Sequence, residues 1–145
     1  PGGESTTISK MLDYGDLRKS ILEVKNRINI MGVCAGMIIL SKTNSYKNLN
    51  PLSIMDFEVE RNGWGSQINS FTTKVKLSFS NSYTKATFIR APKVVSYSNS
   101  IKCLAKFNNN PILLTDGKHL ACSFHPEYSK DCDVYNYFLN LIKNS

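Results

Sequence analysis

The chain has 145 residues, 41% of them hydrophobic, and this length suits one globular domain spanning residues 1–145. No apolar run approaches the roughly 20 residues that a membrane helix needs, and the first residues lack the features of a secretory signal. We therefore expect a cytoplasmic protein that does not contact a membrane. The formal net charge is +7, but the lysines are scattered along the chain, which indicates a solvated surface and no nucleic-acid partner.

The N-terminal third alternates between helical and strand-like segments. Ser5 can cap a short helix through Leu12, and Asp16 can cap a second one with apolar residues at helical spacing. The apolar segment Ile28–Val33 predicts a buried strand. The segment Ala35–Lys42 is apolar nearly all round and predicts a buried helix.

Strand-like segments dominate the rest of the chain. The predicted strands are Met55–Glu60, Phe71–Phe79, Thr84–Arg90, Ile101–Phe107, Ile112–Thr115 and His119–Phe124. Turn residues at 108–110 and 116–117 separate the last three strands, which indicates hairpins. An amphipathic helix is predicted over Asp131–Lys143. Together these segments predict an α/β layered fold.

The cysteines and histidines show no metal-ligand spacing, so we expect no metal site. A domain of this size does not need disulfide bonds, and we expect reduced thiols. Cys103 and Cys122 fall in strand-like segments and are predicted to be buried. Cys132 begins the last predicted helix and is expected to be inert. His119 follows a turn and is predicted to lie at the surface.

Cys34 lies between a predicted strand and a predicted helix, in the segment Gly32–Gly36. This matches the Gly-x-Ser-x-Gly nucleophile elbow with sulfur in place of oxygen, and the glycines tolerate a sharp turn. The thiol would lie at a helix N-terminus, which favours the thiolate, and the N–H of Ala35 would point toward a developing oxyanion. Taken alone, a cysteine is more often a small buried apolar residue.

The segment Phe124–Glu127 supplies the partners that a nucleophilic cysteine needs. Pro126 favours an extended backbone at His125, in which residues i and i+2 face the same way, so His125 and Glu127 can lie side by side. That arrangement suits a base and the carboxylate that fixes its tautomer. In isolation a surface His and Glu are equally compatible with the pattern. Together with the elbow, it predicts a triad with Cys34.

Arg61 and Arg90 are two of only four arginines, and each ends a strand candidate. The guanidinium group binds carboxylates at two points, which suits an amino-acid substrate or an acidic group of a partner. A solvated strand end is an equally good interpretation for each arginine taken alone.

Several segments occur in the order found in one known family. They are Pro1–Thr7, Gly32–Gly36, Val59–Asn62 with Gly65-x-Gln67 and Ser70-Phe71, Phe88–Pro92, and Ser123–Glu127. The set resembles the PdxT/SNO family, the glutaminase subunits of pyridoxal 5′-phosphate synthase, which are triad class I glutamine amidotransferases. The resemblance spans the whole chain. It implies a three-layer αβα sandwich of the flavodoxin-like class.

The resemblance also implies a reaction. Cys34 would attack the carboxamide of L-glutamine, His125 would pass the thiol proton to the leaving ammonia, and Glu127 would orient His125. A glutamyl thioester would form, and water would release glutamate. The oxyanion would be held by the N–H groups of Gly3 and Ala35. The residues matching the glutamine-binding positions of the family are Gly3, Glu4, Ser5, Arg61, Ile89 and Arg90.

A partner follows from the same resemblance. The ammonia would pass through a channel to a synthase subunit of the TIM-barrel type, which builds the vitamin B6 cofactor from two sugar phosphates. Pyridoxal 5′-phosphate is then the product of the complex, and we expect no cofactor in this chain.

Two features depart from the family. Tyr128 stands where leucine is usual, and the chain opens on the turn motif Pro1–Ser5 without a preceding strand. We expect that an N-terminal βαβ unit of about 30 residues or more is missing from this sequence. Two alternatives stay open: another cysteine hydrolase or amidotransferase of the same fold, and an inactive fragment that binds the synthase.

Overall fold

The computed structural model describes residues 1–43, 46–64 and 70–145. The helices in this part are α1 (Ser5–Asp13), α2 (Leu17–Val24), α3 (Ala35–Leu40) and α4 (Asp133–Lys143), with short 3-10 turns at Tyr14–Asp16 and Pro126–Tyr128. The strands are β1 (Met31–Val33), β2 (Phe57–Glu60), β3 (Ser70–Lys76), β4 (Tyr83–Ile89), β5 (Lys93–Tyr97), β6 (Lys102–Phe107), β7 (Asn110–Thr115) and β8 (Leu120–Cys122).

The central sheet has the strand order β1-β8-β7-β6. Strand β1 runs parallel to β8, whereas β6, β7 and β8 form an antiparallel meander, as the turn residues predict. Two smaller antiparallel pairs, β2–β5 and β3–β4, flank it. A bridge between Leu77 and Ala105 joins the end of the β3–β4 pair to β6.

Apolar side chains are buried on both faces of the central sheet. Leu114 and Ala121 belong to the cluster that contains α3, whereas the adjacent Leu113 and Leu120 belong to the cluster that contains Val134 of α4. Successive strand residues point to opposite faces, so both faces of β7 and β8 are covered. This explains why these strands are apolar without alternation. The layering holds the end of β1, where Cys34 lies, against α3.

Two helix starts differ from the sequence interpretation. Glu4, not Ser5, caps α1: its Oε2 accepts the N–H of Thr7 at 2.8 Å, and Ser5 is already helical. A longer side chain than the usual capping residues thus reaches the free N–H groups of the first turn. Asp16 does precede α2, but its backbone is left-handed, with φ of 58°, and its side chain makes no capping bond.

Strand β5 is absent from the predicted elements. Of its residues only Val94 is buried, whereas Val95 and Tyr97 are exposed, so the alternation that signals a strand is weak. The hydrogen bonds of the antiparallel β2–β5 pair hold this segment in a strand, although its own sequence pattern does not indicate one. Strands β1, β2, β3, β6 and β8 are shorter than predicted, whereas β4 keeps its predicted length and β7 begins two residues earlier, at Asn110. Helix α3 ends at Leu40 with all six residues buried.

The prediction that His119 lies at the surface is wrong. The residue is 4% exposed. Its Nδ1 accepts the N–H of Ile30 at 3.1 Å, and its own backbone N–H donates to Asp116 Oδ1 at 2.6 Å. The contact joins residues that are 89 positions apart, which no local pattern reveals. Burial lowers the pKa of the imidazole below its usual value.

We expect His119 to make the stability of the fold depend on pH. Because its folded-state pKa is depressed, its contribution is present above about pH 6.5 and is lost as the pH falls. His119→Asn keeps an acceptor for the N–H of Ile30 but does not titrate. The unfolding free energy of the wild type minus that of His119→Asn should therefore fall from pH 7.5 to pH 5.5. His119→Ala should cost about 1–3 kcal/mol at pH 7.5 because the N–H of Ile30 loses its acceptor. Urea unfolding measures both, and a constant difference between wild type and His119→Asn would contradict the assignment.

Candidate active site

Cys34 forms the junction of β1 and α3 in a backbone conformation that L-residues rarely adopt. Its φ is 52° and its ψ is −105°. Its N–H donates to the carbonyl oxygen of Cys122 on the neighbouring strand at 2.7 Å, which ties the turn to the central sheet. The predicted elbow between a strand and a helix is therefore present, and the strained residue is Cys34 itself.

The two glycines that flank Cys34 serve close packing. A Cβ atom on Gly32 would lie 2.6 Å from the carbonyl oxygen of Gly36. The N–H of Gly36 donates to the carbonyl oxygen of Pro1 at 3.0 Å. The expectation that these glycines absorb the turn is thus corrected: they let β1, α3 and the N-terminal loop approach one another, while Cys34 takes the positive φ.

His125 and Glu127 are joined by a short hydrogen bond. Nδ1 of His125 lies 2.6 Å from Oε1 of Glu127. Because a carboxylate can only accept, Nδ1 carries the hydrogen and Nε2 is left free to take a proton. The backbone N–H of His125 donates to the carbonyl oxygen of Thr87 in β4 at 2.8 Å, which fixes the position of the segment.

The geometry that brings this pair together differs from the sequence interpretation. His125 is extended, with φ of −100° and ψ of 93°, but Pro126–Tyr128 is a 3-10 turn. Glu127 therefore reaches His125 by curling back through that turn and not along an extended strand. Pro126 suits the first position of such a turn because its ring fixes φ and the missing N–H has no partner to lose there.

Gly2 lies against the imidazole ring of His125. A Cβ atom on Gly2 would come within 2.6 Å of Cε1 and 3.4 Å of Nδ1 of that ring. Any larger residue at this position must displace either the ring or the N-terminal loop. Gly2 thus restricts the orientation of His125 from the side of the loop, a role that the sequence motif alone did not reveal.

The predicted site residues surround one pocket of about 330 Å³. Its lining contains Gly3, Glu4, Ser5, Cys34, Ala35, Arg61, Ile89, Arg90 and His125, together with Ile38 and Asn62. Glu127 is reached through His125. The structure therefore brings together residues from five separated segments of the chain. Asn62, with a left-handed φ of 53°, and Ile38 were missed because neither carries a distinctive chemical signal.

Glu4 and Arg61 form an ion pair in the pocket wall, with Nη2 of Arg61 2.8 Å from Oε1 of Glu4. Hydrogen bonds from the Thr6 hydroxyl and the backbone N–H of Thr7 hold the pKa of Glu4 at about 2, so it stays negative at neutral pH. Tyr46 also contacts Arg61: its hydroxyl accepts the N–H of Arg61 at 2.8 Å, and the guanidinium lies 5.4 Å from the ring centroid.

Arg90 differs from Arg61 in its partners. In residues 1–43, 46–64 and 70–145, no carboxylate lies within ion-pair distance of Arg90. Its side chain is exposed, and its backbone has a positive φ of 45°. Arg90 is therefore the pocket cation that is available to a ligand carboxylate.

The environment of Cys34 favours the neutral thiol. Burial raises the pKa of this thiol above its usual value; the backbone N–H of Ala35 opposes that rise, and the negative charge of Glu127 adds to it. Sγ contacts the carbonyl oxygen of Ile89 at 3.6 Å. The expected thiolate at a helix N-terminus is thus not what the structure favours, since α3 is only six residues long and desolvation outweighs it. For Sγ to act as a nucleophile, a base must take its proton.

The remaining cysteines take no part in the pocket. Cys122 is fully buried, as predicted, with its thiol donating to the carbonyl oxygen of Phe124 at 3.1 Å. Cys103 is half-buried beside the core, and Cys132 is exposed at the start of α4. The described segments contain no cluster of His, Cys, Asp or Glu suited to a metal ion, and no helix long and apolar enough to span a membrane. Gly65 and Gln67 lie outside the described residues.

Comparison with known proteins shows which family the chain belongs to. The model of the SNO glutamine amidotransferase family matches residues 1–144. The chain belongs to this family. Members with the name pyridoxal 5′-phosphate synthase subunit PdxT are similar to it: that of Francisella philomiragia is 43% identical over 141 residues, covering 97% of this chain and 75% of the relative. That of Thermosipho africanus is 38% identical, covering 99% and 77%.

A solved structure described as a glutamine amidotransferase superposes on this SNO-family chain with a TM-score of 0.91. It is 34% identical in sequence, and the match covers 97% of this chain and 76% of that one. The family suggested by the sequence motifs is thus confirmed, and so is the three-layer αβα fold of the flavodoxin-like class. As a member of this family, the chain is a glutamine amidotransferase.

We expect Gly2→Ala to lower the rate of glutamate release from glutamine by about 100-fold, because moving the His125 imidazole by about 1 Å disturbs proton transfer. The clash lies at the ring and not in the core, so the thermal unfolding midpoint should change little. The paired assays are glutamate release and thermal unfolding. An unchanged rate would show that Gly2 does not restrain His125.

Proposed function

We propose that the chain hydrolyses L-glutamine to glutamate and ammonia and supplies the ammonia to the synthase subunit of pyridoxal 5′-phosphate synthase. One observation carries this proposal: a single pocket is lined by the elbow cysteine, by His125 with its hydrogen-bonded Glu127 behind it, and by Arg90, which pairs with no carboxylate among the described residues. The chain that holds this pocket belongs to the SNO glutamine amidotransferase family. The family match over residues 1–144 argues against the alternative of another cysteine hydrolase or amidotransferase of the same fold.

Cys34 is the proposed nucleophile and His125 the proposed base. Nε2 of His125 takes the thiol proton as Sγ attacks the carboxamide carbon, and the C–N bond then breaks as the proton passes to the leaving nitrogen. The products of this half-reaction are ammonia and a glutamyl thioester on Cys34. Water, deprotonated by the same nitrogen, then displaces the thiol and releases glutamate. Glu127 keeps the hydrogen on Nδ1 and stabilises the imidazolium that forms.

The proposed oxyanion donors are the backbone N–H groups of Ala35 and Gly3. Ala35 is the first residue of α3 and follows the nucleophile directly, which is the usual place for such a donor. Gly3 lies in the pocket wall with φ of 129°, a conformation that favours glycine. These donors would stabilise the negative charge on the carbonyl oxygen in the transition state.

Recognition of glutamine is assigned to residues around the mouth of the pocket. Arg90 is the proposed partner of the substrate α-carboxylate because it has no other carboxylate in the described part of the chain. Glu4, which stays negative, suits the α-ammonium group, with Arg61 holding it in place. Ile89 and Ser5 complete the wall.

The proposed partner is a synthase subunit of the TIM-barrel type, which would receive the ammonia through a channel. Similarity to relatives named as subunits of pyridoxal 5′-phosphate synthase supports a synthase partner. Its TIM-barrel type and the channel are proposed from the family resemblance of the sequence. We also propose that residues 1–145 act as one amidotransferase domain. The absence of a resident cofactor, the absence of a nucleic-acid partner and the cytoplasmic location stay predictions from the sequence.

Substitutions in the triad give a direct test. Cys34→Ala should lower glutamate release by about 10⁴-fold or more, because no nucleophile remains. Glu127→Gln keeps the shape of the side chain but loses the charge that stabilises the imidazolium, and should cost about 100-fold or more. Glu58→Gln removes an exposed carboxylate of β2 outside the pocket and is the matched control, with no expected change.

The assay is glutamate release by the full chain in the presence of its synthase subunit. Glutamate release by Cys34→Ala at the rate of the wild type would exclude Cys34 as the nucleophile. Equal losses in Glu127→Gln and Glu58→Gln would show that the carboxylate beside His125 has no special role.

A further inference from the structure

The outer face of the β3–β4 hairpin gathers lysines that are scattered in the sequence. The antiparallel register places Lys74 opposite Lys85 and Lys76 opposite Tyr83, and residues opposite each other share a face. All four side chains are exposed, and Tyr83 is 61% exposed. The opposite face, with Val75 and its neighbours, packs into the core.

This arrangement of charge is unfavourable for the isolated chain. Like charges directly opposite each other in an antiparallel pair repel, yet the cross-strand pair at the centre of this hairpin is Lys74–Lys85. In the β2–β5 pair, by contrast, Glu60 lies opposite Lys93, so opposite charges face each other. Within residues 1–43, 46–64 and 70–145, none of the three hairpin lysines forms an ion pair.

The same face continues to the active-site pocket. Along β4, Ile89 points to the same side as Lys85, and it lines the pocket. The carbonyl oxygen of Ile89 accepts the thiol of Cys34, and that of Thr87, two residues earlier, accepts the N–H of His125. We define the basic hairpin face as Thr72, Lys74, Lys76, Tyr83, Lys85 and Ile89.

We propose that the basic hairpin face docks against an acidic surface of the synthase subunit. This rests on the proposed function, in which ammonia must leave the pocket into a partner that sits against it. A partner bound to the basic hairpin face would lie next to the pocket, because Ile89 belongs to the face and also lines the pocket. Its exposed tyrosine and isoleucine provide apolar contact area, and its unpaired lysines would gain partners and lose their mutual repulsion on docking.

Two charge-matched triple variants test the proposal. Lys74→Gln, Lys76→Gln and Lys85→Gln remove three charges from the face, whereas Lys10→Gln, Lys19→Gln and Lys102→Gln remove three exposed charges elsewhere. The measurement is the dissociation constant of the full chain with the synthase subunit of the same organism at 50 and 300 mM salt. Replacing the hairpin lysines by arginine preserves the charge and serves as a second control.

The hairpin glutamine variant should bind about tenfold more weakly at 50 mM salt and show a flatter salt dependence than wild type. The control triple variant and the arginine variant should bind within about twofold of wild type. Equal weakening in both glutamine variants would show a general effect of net charge and overturn the proposal. So would binding of the face to an oligonucleotide in preference to the synthase. If wild type itself fails to bind the synthase, the proposed function falls as well.

Discussion

Cys34 occupies a backbone conformation that an L-residue keeps only when its surroundings enforce it, and the geometry of the site depends on that enforcement. The carbonyl oxygen of Cys122 holds the N–H of Cys34 from the sheet side. On the other side, Gly36 holds the carbonyl oxygen of Pro1. Gly2, which follows Pro1 in the chain, lies against the ring of His125. One short loop thus connects the turn at Cys34, the proposed nucleophile, to the ring of His125, the proposed base.

The electrostatics of the pocket disfavour the thiolate form of Cys34. Burial and the negative charge of Glu127 raise the pKa of Cys34, and the thiol contacts the carbonyl oxygen of Ile89. In the proposed mechanism, the thiol therefore leaves this oxygen and passes its proton to His125 as the new bond forms. Until then the sulfur stays in its protonated form, which is the weaker nucleophile.

The sequence could predict the elbow at Cys34, the pairing of His125 with Glu127 and the residues that line the pocket, because chemistry restricts which residue types can fill those positions. Their catalytic roles stay predictions. It could also predict the α/β layering and the β6–β7–β8 meander from apolar periodicity and turn residues. It could not predict the burial of His119, because its partner Ile30 is 89 positions away. The roles of Gly2 and Glu4 also depend on contacts across the fold. Strand β5 lacks alternation of its own and gains its order from β2.

The most direct test of the account is to identify the residue that forms a covalent bond with substrate carbon. A glutamine analogue with a diazoketone in place of the carboxamide alkylates the nucleophile that attacks it. After incubation of the full chain and its synthase subunit with this analogue, peptide mass spectrometry should find the adduct on Cys34 and not on the exposed Cys132. Glutamine added in excess should prevent it. An adduct on another residue, or none while glutamate is still released, would contradict the account.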